Sequence, residues 1–148
     1  MNKFEYVSTS TKDFDLPSRG TKGSCGYDFH SPISTVIKPG QDVKFSLQVK
    51  CQIKEGEFLM IVPRSSLGFK NNNFITLTNT VGIIDSDYYN NPGNEGEISV
   101  RLHNHGTNDF IISKNDKLVQ GIFVKYDVVD NEADNDIQRI GGYGSTGK

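Results

Sequence analysis

Tryptophan is absent from this chain, and cysteine, methionine and histidine are scarce. The two cysteines, Cys25 and Cys51, are too few for a disulfide scaffold. With no secretory leader in view, they are expected as reduced thiols of a cytoplasmic protein. His30, His103 and His105 are spread without the spacing of a metal-ligand set, and the last two are expected to face solvent on a strand edge. Cys25 has no paired base that would make it a nucleophile. No apolar run approaches the ~18 residues of a membrane span, and Met1-Asn2-Lys3 opens no signal-peptide apolar region. A net charge of -2 and a pI near 5.9 argue against a general nucleic-acid binder. What remains is 148 residues, 34% hydrophobic, with a mean hydropathy of -0.49. That is one soluble domain, long enough to bury a single core.

The pattern that is present is that of strands. Val43, Phe45, Leu47, Val49, Cys51 and Ile53 alternate with polar residues, which predicts one long half-buried strand. Phe58-Leu59-Met60-Ile61-Val62 is continuously apolar and suits burial on both faces. Ile98, Val100 and Leu102 alternate with Ser99, Arg101 and His103, and further strands are expected at 74–78, 110–112, 118–126 and over 29–37. Lys38-Pro39-Gly40, Glu55-Gly56 and Asn104-His105-Gly106 supply turns between them. Only residues 65–72 suit a short helical turn, with Phe69 a candidate for the core. The expected fold is all-β: a single-domain, jelly-roll-like barrel over residues 1–126.

The remainder divides at 127–138, an acidic linker with Asp127, Asp130, Glu132, Asp134 and Asp136 and no Lys or Arg. Setting those five acids aside turns the net -2 into +3 for the rest, a body that tolerates a polyanionic ligand. Residues 139–148 form a flexible Gly-rich arm without the apolar content to order itself. It nevertheless carries Arg139, Tyr143, Ser145 and Thr146, which a plain linker seldom needs. Gly142-Tyr143-Gly144-Ser145-Thr146-Gly147-Lys148 fits most of a P-loop, but it lacks the strand before it, the Ser or Thr after the lysine and the helix beyond. A P-loop fold is rejected; Gly-rich backbone with hydroxyls can still wrap phosphate oxygens.

The segment Thr78-Asn79-Thr80-Val81-Gly82-Ile83-Ile84-Asp85-Ser86-Asp87-Tyr88 reads as neither ordinary core nor ordinary loop. A short apolar turn delivers two carboxylates and an aromatic ring to one place. Alone, Asp85-Ser86-Asp87 could equally be an acidic pair capping a turn. Upstream, Pro63-Arg64-Ser65-Ser66-Leu67-Gly68 sets a guanidinium and hydroxyls where a strand gives way to a loop.

Taken together, these segments resemble the trimeric deoxyuridine triphosphatases, whose five short motifs have counterparts here in order. Cys25-Gly26-Tyr27-Asp28-Phe29 resembles the first and Pro63-Arg64-Ser65-Ser66-Leu67-Gly68 the second, with Ser66 where the family usually has Gly. Gly82-Ile83-Ile84-Asp85-Ser86-Asp87-Tyr88 resembles the third, Asp116-Lys117-Leu118-Val119-Gln120 the fourth and Gly141-Gly142-Tyr143-Gly144-Ser145-Thr146-Gly147 the fifth. An extra loop at 89–96 follows the third motif, similar to the variant of some Gram-positive bacteria and their phages. The fifth motif's usual arginine slot holds Gln138, and Arg139 stands one residue late.

The resemblance implies hydrolysis of dUTP to dUMP and pyrophosphate by water attack at the α-phosphorus, with Asp85 as general base and Gln120 holding the water or an α-phosphate oxygen. Arg64, Ser65, Ser66, Arg139, Ser145 and Thr146 would take the phosphates. Asn79 and the backbone of Ile83 and Ile84 would read the uracil edge, Tyr88 would pack on the deoxyribose, and Tyr143 would stack on the base. Asp28 would orient waters on a Mg²⁺ held mainly by the substrate's phosphates. A homotrimer is implied, with arms closing over neighbouring subunits; neither membrane nor nucleic acid is an expected partner. Two alternatives stay open: a dCTP deaminase of the same fold, and a non-catalytic, nucleotide-gated regulator, for whose protein partner the 89–96 loop leaves room.

Overall fold

The computed structural model of the chain describes residues 1–70, 72–144 and 146. Among them, a five-stranded antiparallel sheet runs in the order β2 (Ser18–Arg19), β3 (Tyr27–His30), β12 (Lys117–Lys125), β7 (Glu57–Pro63) and β9 (Gly82–Ile84). A second sheet orders β5 (Asp42–Ser46), β10 (Ser99–Asn104) and β8 (Ile75–Leu77). Two pairs complete the fold, β1 (Lys3–Tyr6) with β6 (Val49–Gln52) and β4 (Thr35–Ile37) with β11 (Phe110–Ile112). Neighbouring strands are mostly remote in sequence, as an all-β, jelly-roll-like fold requires. Phe29, Phe45, Leu47, Leu59, Ile61, Ile98, Leu102 and Leu118 fill the shared core.

Alternation explains most of the burial. Val100 and Leu102 of β10 point inward while Arg101 stays exposed. On β12, Leu118 and Val119 are both buried because the pairing with β3 slips between Lys117 and Val119. Such an irregularity lets successive residues face the same side.

Four expectations are corrected. Residues 43–53 do not form one strand: Gln48 adopts a φ of 54°, and the chain passes from β5, paired with β10, to β6, paired with β1. The alternation runs through the break because both sheets face one core. Residues 29–37 likewise divide between β3 and β4 in different sheets. β7 buries Leu59 and Ile61 but leaves Phe58, Met60 and Val62 half-buried, so within one chain it is covered on one face. The short helix α1 (Ser66–Phe69) lies where a helical turn is expected, yet it buries Leu67 and leaves Phe69 exposed.

The thiols are both free, and burial pushes Cys51 up to about 12. His103 lies on β10, the central strand of its sheet, and His105 just beyond its end, where it is exposed as expected. His103 is half-buried and pairs with Asp42, and the His105 ring nitrogen lies 2.9 Å from the Thr76 hydroxyl. No helix among the described residues is long and apolar enough to cross a membrane.

Candidate active site

Two clusters of the expected residues form, one on each side of β7. The first is built on the turn between β8 and β9. Thr80 takes a φ of 68°, and the Asn79 amide donates to the Val81 carbonyl at 3.2 Å, which closes the turn. Gly82 lies so close to Ile61 that a Cβ there would sit 3.0 Å from the Ile61 Cβ. Beyond it, β9 is the last strand of its sheet, so its second edge carries backbone donors and acceptors with no strand partner. A cavity of about 440 Å³ opens there, its lining including Asn79, Gly82, Ile84, Tyr143 and the cations Lys44 and Arg101. A smaller one of about 210 Å³ adjoins it and reaches Asp85, Tyr88 and Arg139.

After β9 the chain turns through a 3-10 segment, Ser86–Tyr88, and the Tyr88 amide donates to the Asp85 carbonyl at 3.1 Å. Asp85 and Asp87 keep about half of their side chains exposed, at 50% and 57%. Arg139 joins them: one terminal nitrogen donates to Asp85 at 2.6 Å and Nε to Asp87 at 2.7 Å. Its guanidinium also lies 5.9 Å from the centre of the Tyr88 ring. Tyr88 is buried, donates its hydroxyl to the Glu97 carbonyl at 2.9 Å and accepts from the Asn94 amide at 2.6 Å. Burial raises its phenol above the ordinary value.

The arm is therefore seated. A Cβ on Gly142 would meet the Tyr88 ring at 2.8 Å, so glycine permits the close approach. The Tyr143 ring, itself largely exposed, has the Lys44 ammonium 5.3 Å from its centre. Here the arm lies on the hairpin of its own chain. Thr146 is exposed, and Ser145 lies outside the described residues.

The second cluster sits where β3, β12 and β7 run side by side, with Asp28 opposite Gln120 and Gln120 opposite Val62. Asp28 is buried and accepts from Arg64 Nε at 2.9 Å, while the Lys117 ammonium lies 2.9 Å from its other oxygen. Gln120 donates to the Pro63 carbonyl at 3.2 Å. Gly26 makes that placement feasible, since a Cβ there would come within 2.2 Å of the Gln120 amide oxygen. Ser65 leads into α1 without a side-chain capping bond, and Ser66 opens the helix half-buried. Lys117 and Asn94 carry no distinguishing sequence signal of their own; Lys117 stands inside the fourth motif, where its charge next to Asp28 follows only from the strand pairing.

One chain does not bring Asp85 to the second cluster. β9 pairs with Leu59, Met60 and Ile61, whereas Gln120 pairs with Val62 and Arg64 lies past the end of β7. At ~3.3 Å per residue along a strand and ~4.8 Å between strands, Asp85 is roughly 16–20 Å from Gln120 and Arg64.

The dUTPase family model matches residues 12–147. The deoxyuridine 5'-triphosphate nucleotidohydrolase of Lactococcus lactis is 36% identical over 146 residues, 97% of this chain and 96% of the relative. That of Nautilia profundicola is 38% identical over 137 residues, 90% and 91% of the two chains. The crystal structure of the Streptococcus mutans dUTPase superposes with a TM-score of 0.78 at 35% identity, covering 86% of this chain and 98% of that one. The dUTPase of phage phi11 of S. aureus shares the fold at a TM-score of 0.73 and 18% identity, over 93% of this chain and 97% of that one. The hairpin, the opposed cluster and the arm thus occur in a chain that matches this family over nearly its whole length, and the protein belongs to the dUTPase family.

Proposed function

We propose that this protein hydrolyses dUTP to dUMP and pyrophosphate, as a homotrimer, with Mg²⁺. The observation that carries this proposal is Asp85, half-exposed at the mouth of the hairpin cavity in a chain of the dUTPase family. The uracil edge would meet Asn79 and the free edge of β9 at Ile83 and Ile84, the deoxyribose would pack on Tyr88, and Tyr143 would cover the base. Asp85 takes a proton from water as the oxygen bonds to the α-phosphorus and the bridging oxygen leaves with pyrophosphate. Gln120 holds the water or an α-phosphate oxygen, and Arg64, Ser65, Ser66 and the arm's Arg139, Ser145 and Thr146 take phosphate oxygens. Arg139 now occupies both aspartates, so the base is released only when a stronger anion draws the guanidinium away. A triphosphate is such an anion.

A carboxylate has about four acceptor positions, and Asp28 spends one on each of two cations. It therefore fits a role in orienting the waters of a phosphate-bound Mg²⁺, which when bound would neutralise triphosphate charge. The trimer answers the separation of the clusters: a hairpin of one chain would meet the Asp28–Arg64–Gln120 cluster of another. The linker suits this. Residues 126–138 could span ~45 Å when extended, whereas reaching the chain's own hairpin requires only about two strand spacings, ~10 Å. Family membership favours neither the deaminase nor the non-catalytic alternative.

Pyrophosphate release measured across the deoxynucleoside triphosphates and UTP tests the proposal. Turnover of dUTP alone is expected. Ammonia from dCTP, or no hydrolysis of any of them, would overturn it.

A further inference from the structure

The loop at 89–96 has no part in the roles assigned above, yet side-chain hydrogen bonds hold it at several points. The Asn91 side chain is buried, donates to the Tyr88 carbonyl at 2.7 Å and to Asn94 at 2.8 Å, and accepts from the amides of Gly93 and Asn94. Glu95 ties the loop to the body, accepting from the Ser8 amide and hydroxyl and from Lys50 at 2.7 Å. Lys50 also donates to Asn90 at 2.7 Å. The lysine and Ser8 together hold the Glu95 carboxyl down at about 2. A loop so anchored is a rigid platform.

That platform touches both the sugar-side ring and the arm. The Asn94 amide reaches the Tyr88 hydroxyl at 2.6 Å. Gly93 approaches the arm so closely that a Cβ would lie 2.6 Å from the Ile140 carbonyl oxygen and 3.3 Å from the Gly141 Cα. Tyr88 also meets Gly142 and Arg139 of the arm. One ring is thus held by both the loop and the arm.

We propose that the 89–96 loop is the seat of the C-terminal arm, and that Asn94 is a positioning residue that fixes Tyr88 for sugar selection. Seating the arm and placing the ring that, packed against the deoxyribose, would leave no room for a 2′-hydroxyl are then one event. The sugar-selection half rests on the dUTP proposal; the seat does not.

Two variants separate the halves. Gly93 has no positive φ, and its added Cβ would meet the Ile140 carbonyl oxygen at 2.6 Å, well ahead of the Asn91 Oδ1 at 3.3 Å, so Gly93→Ala strikes the arm first. In ligand-free protein, trypsin should cut after Arg139 about tenfold faster in Gly93→Ala than in wild type, because cleavage requires the arm to leave its seat. Asn94→Asp keeps the acceptor used by Asn91 and Gly96 but loses the donor to Tyr88. Its dUTP-over-UTP ratio of kcat/KM should fall about tenfold, the scale of one lost hydrogen bond. A change in stability alone would leave that ratio in place. Wild-type cleavage in Gly93→Ala, or an unchanged ratio in Asn94→Asp, overturns the inference. If wild type hydrolyses no dUTP, the functional proposal fails instead, and the trypsin measurement still decides the seat.

Discussion

Asp85 and Asp87 stand two residues apart, equally exposed and bound to the same guanidinium, so their immediate surroundings barely distinguish them. Their backbone does. Asp85 follows directly on β9, which is locked to β7, whereas Asp87 lies within the 3-10 turn. The residue on the more rigid support can hold a water in line with phosphorus. Asp85→Asn is expected to fold and bind nucleotide while losing ~10²–10⁴ in turnover, the usual share of a general base. Asp87→Asn should cost less. Steady-state pyrophosphate release from both variants checks this, and a more damaging Asp87→Asn would transfer the base role.

Among the elements, the arm and the 89–96 loop depend on different physics. The loop is held by a charge network centred on Glu95, whose folded-state carboxyl is depressed to about 2. A depressed acid adds stability above its unfolded value and loses it as pH falls through the folded one. The difference in Tm between wild type and Glu95→Gln should therefore be full at pH 7 and shrink between about 4.5 and 2. A difference that stays constant over that window would mean that Glu95 is not the anchor. The arm has little apolar surface, so removing residues 139–148 should leave the barrel folded by circular dichroism. Activity should nevertheless be mostly lost, since nothing would cover the phosphates. Because the chain has no tryptophan, Tyr143→Trp installs a single reporter. Its emission should shift strongly with a non-hydrolysable dUTP analogue and Mg²⁺, and far less with dTTP. A truncated enzyme of normal turnover would reduce the arm to a linker.

For the whole molecule, the distance between the two clusters is the controlling fact. A site assembled from two chains would require closed assembly, and C3 symmetry would create equivalent copies of it. The mass in solution should be about three times 16.5 kDa. Mixing an Asp85→Asn chain with an arm-deleted chain should restore part of the activity, because an intact hairpin of one can receive the intact arm of the other. A mixture that stays inactive would assign each arm to its own hairpin, the arrangement seen within the single chain. A fully active monomer would contradict the composite site.

The period-2 alternation was enough to determine an all-β chain, since it reports which residues face a core. It carries no information on which strand lies alongside, so the break at Gln48, where the apolar pattern runs on, was legible only in three dimensions. The motif segments likewise marked Asp28, Arg64, Asp85, Tyr88, Gln120 and Tyr143 by type and order. Tertiary structure alone decided their grouping, with Lys117 beside Asp28, Asn94 beneath Tyr88 and Arg139 across both aspartates. Two of these three partnerships join residues 52 or more positions apart or across unrelated strands, where no local pattern extends. The sequence by itself thus determined which chemical groups the chain carries; strand pairing, set by the burial of a common core, decided which of them meet within one chain.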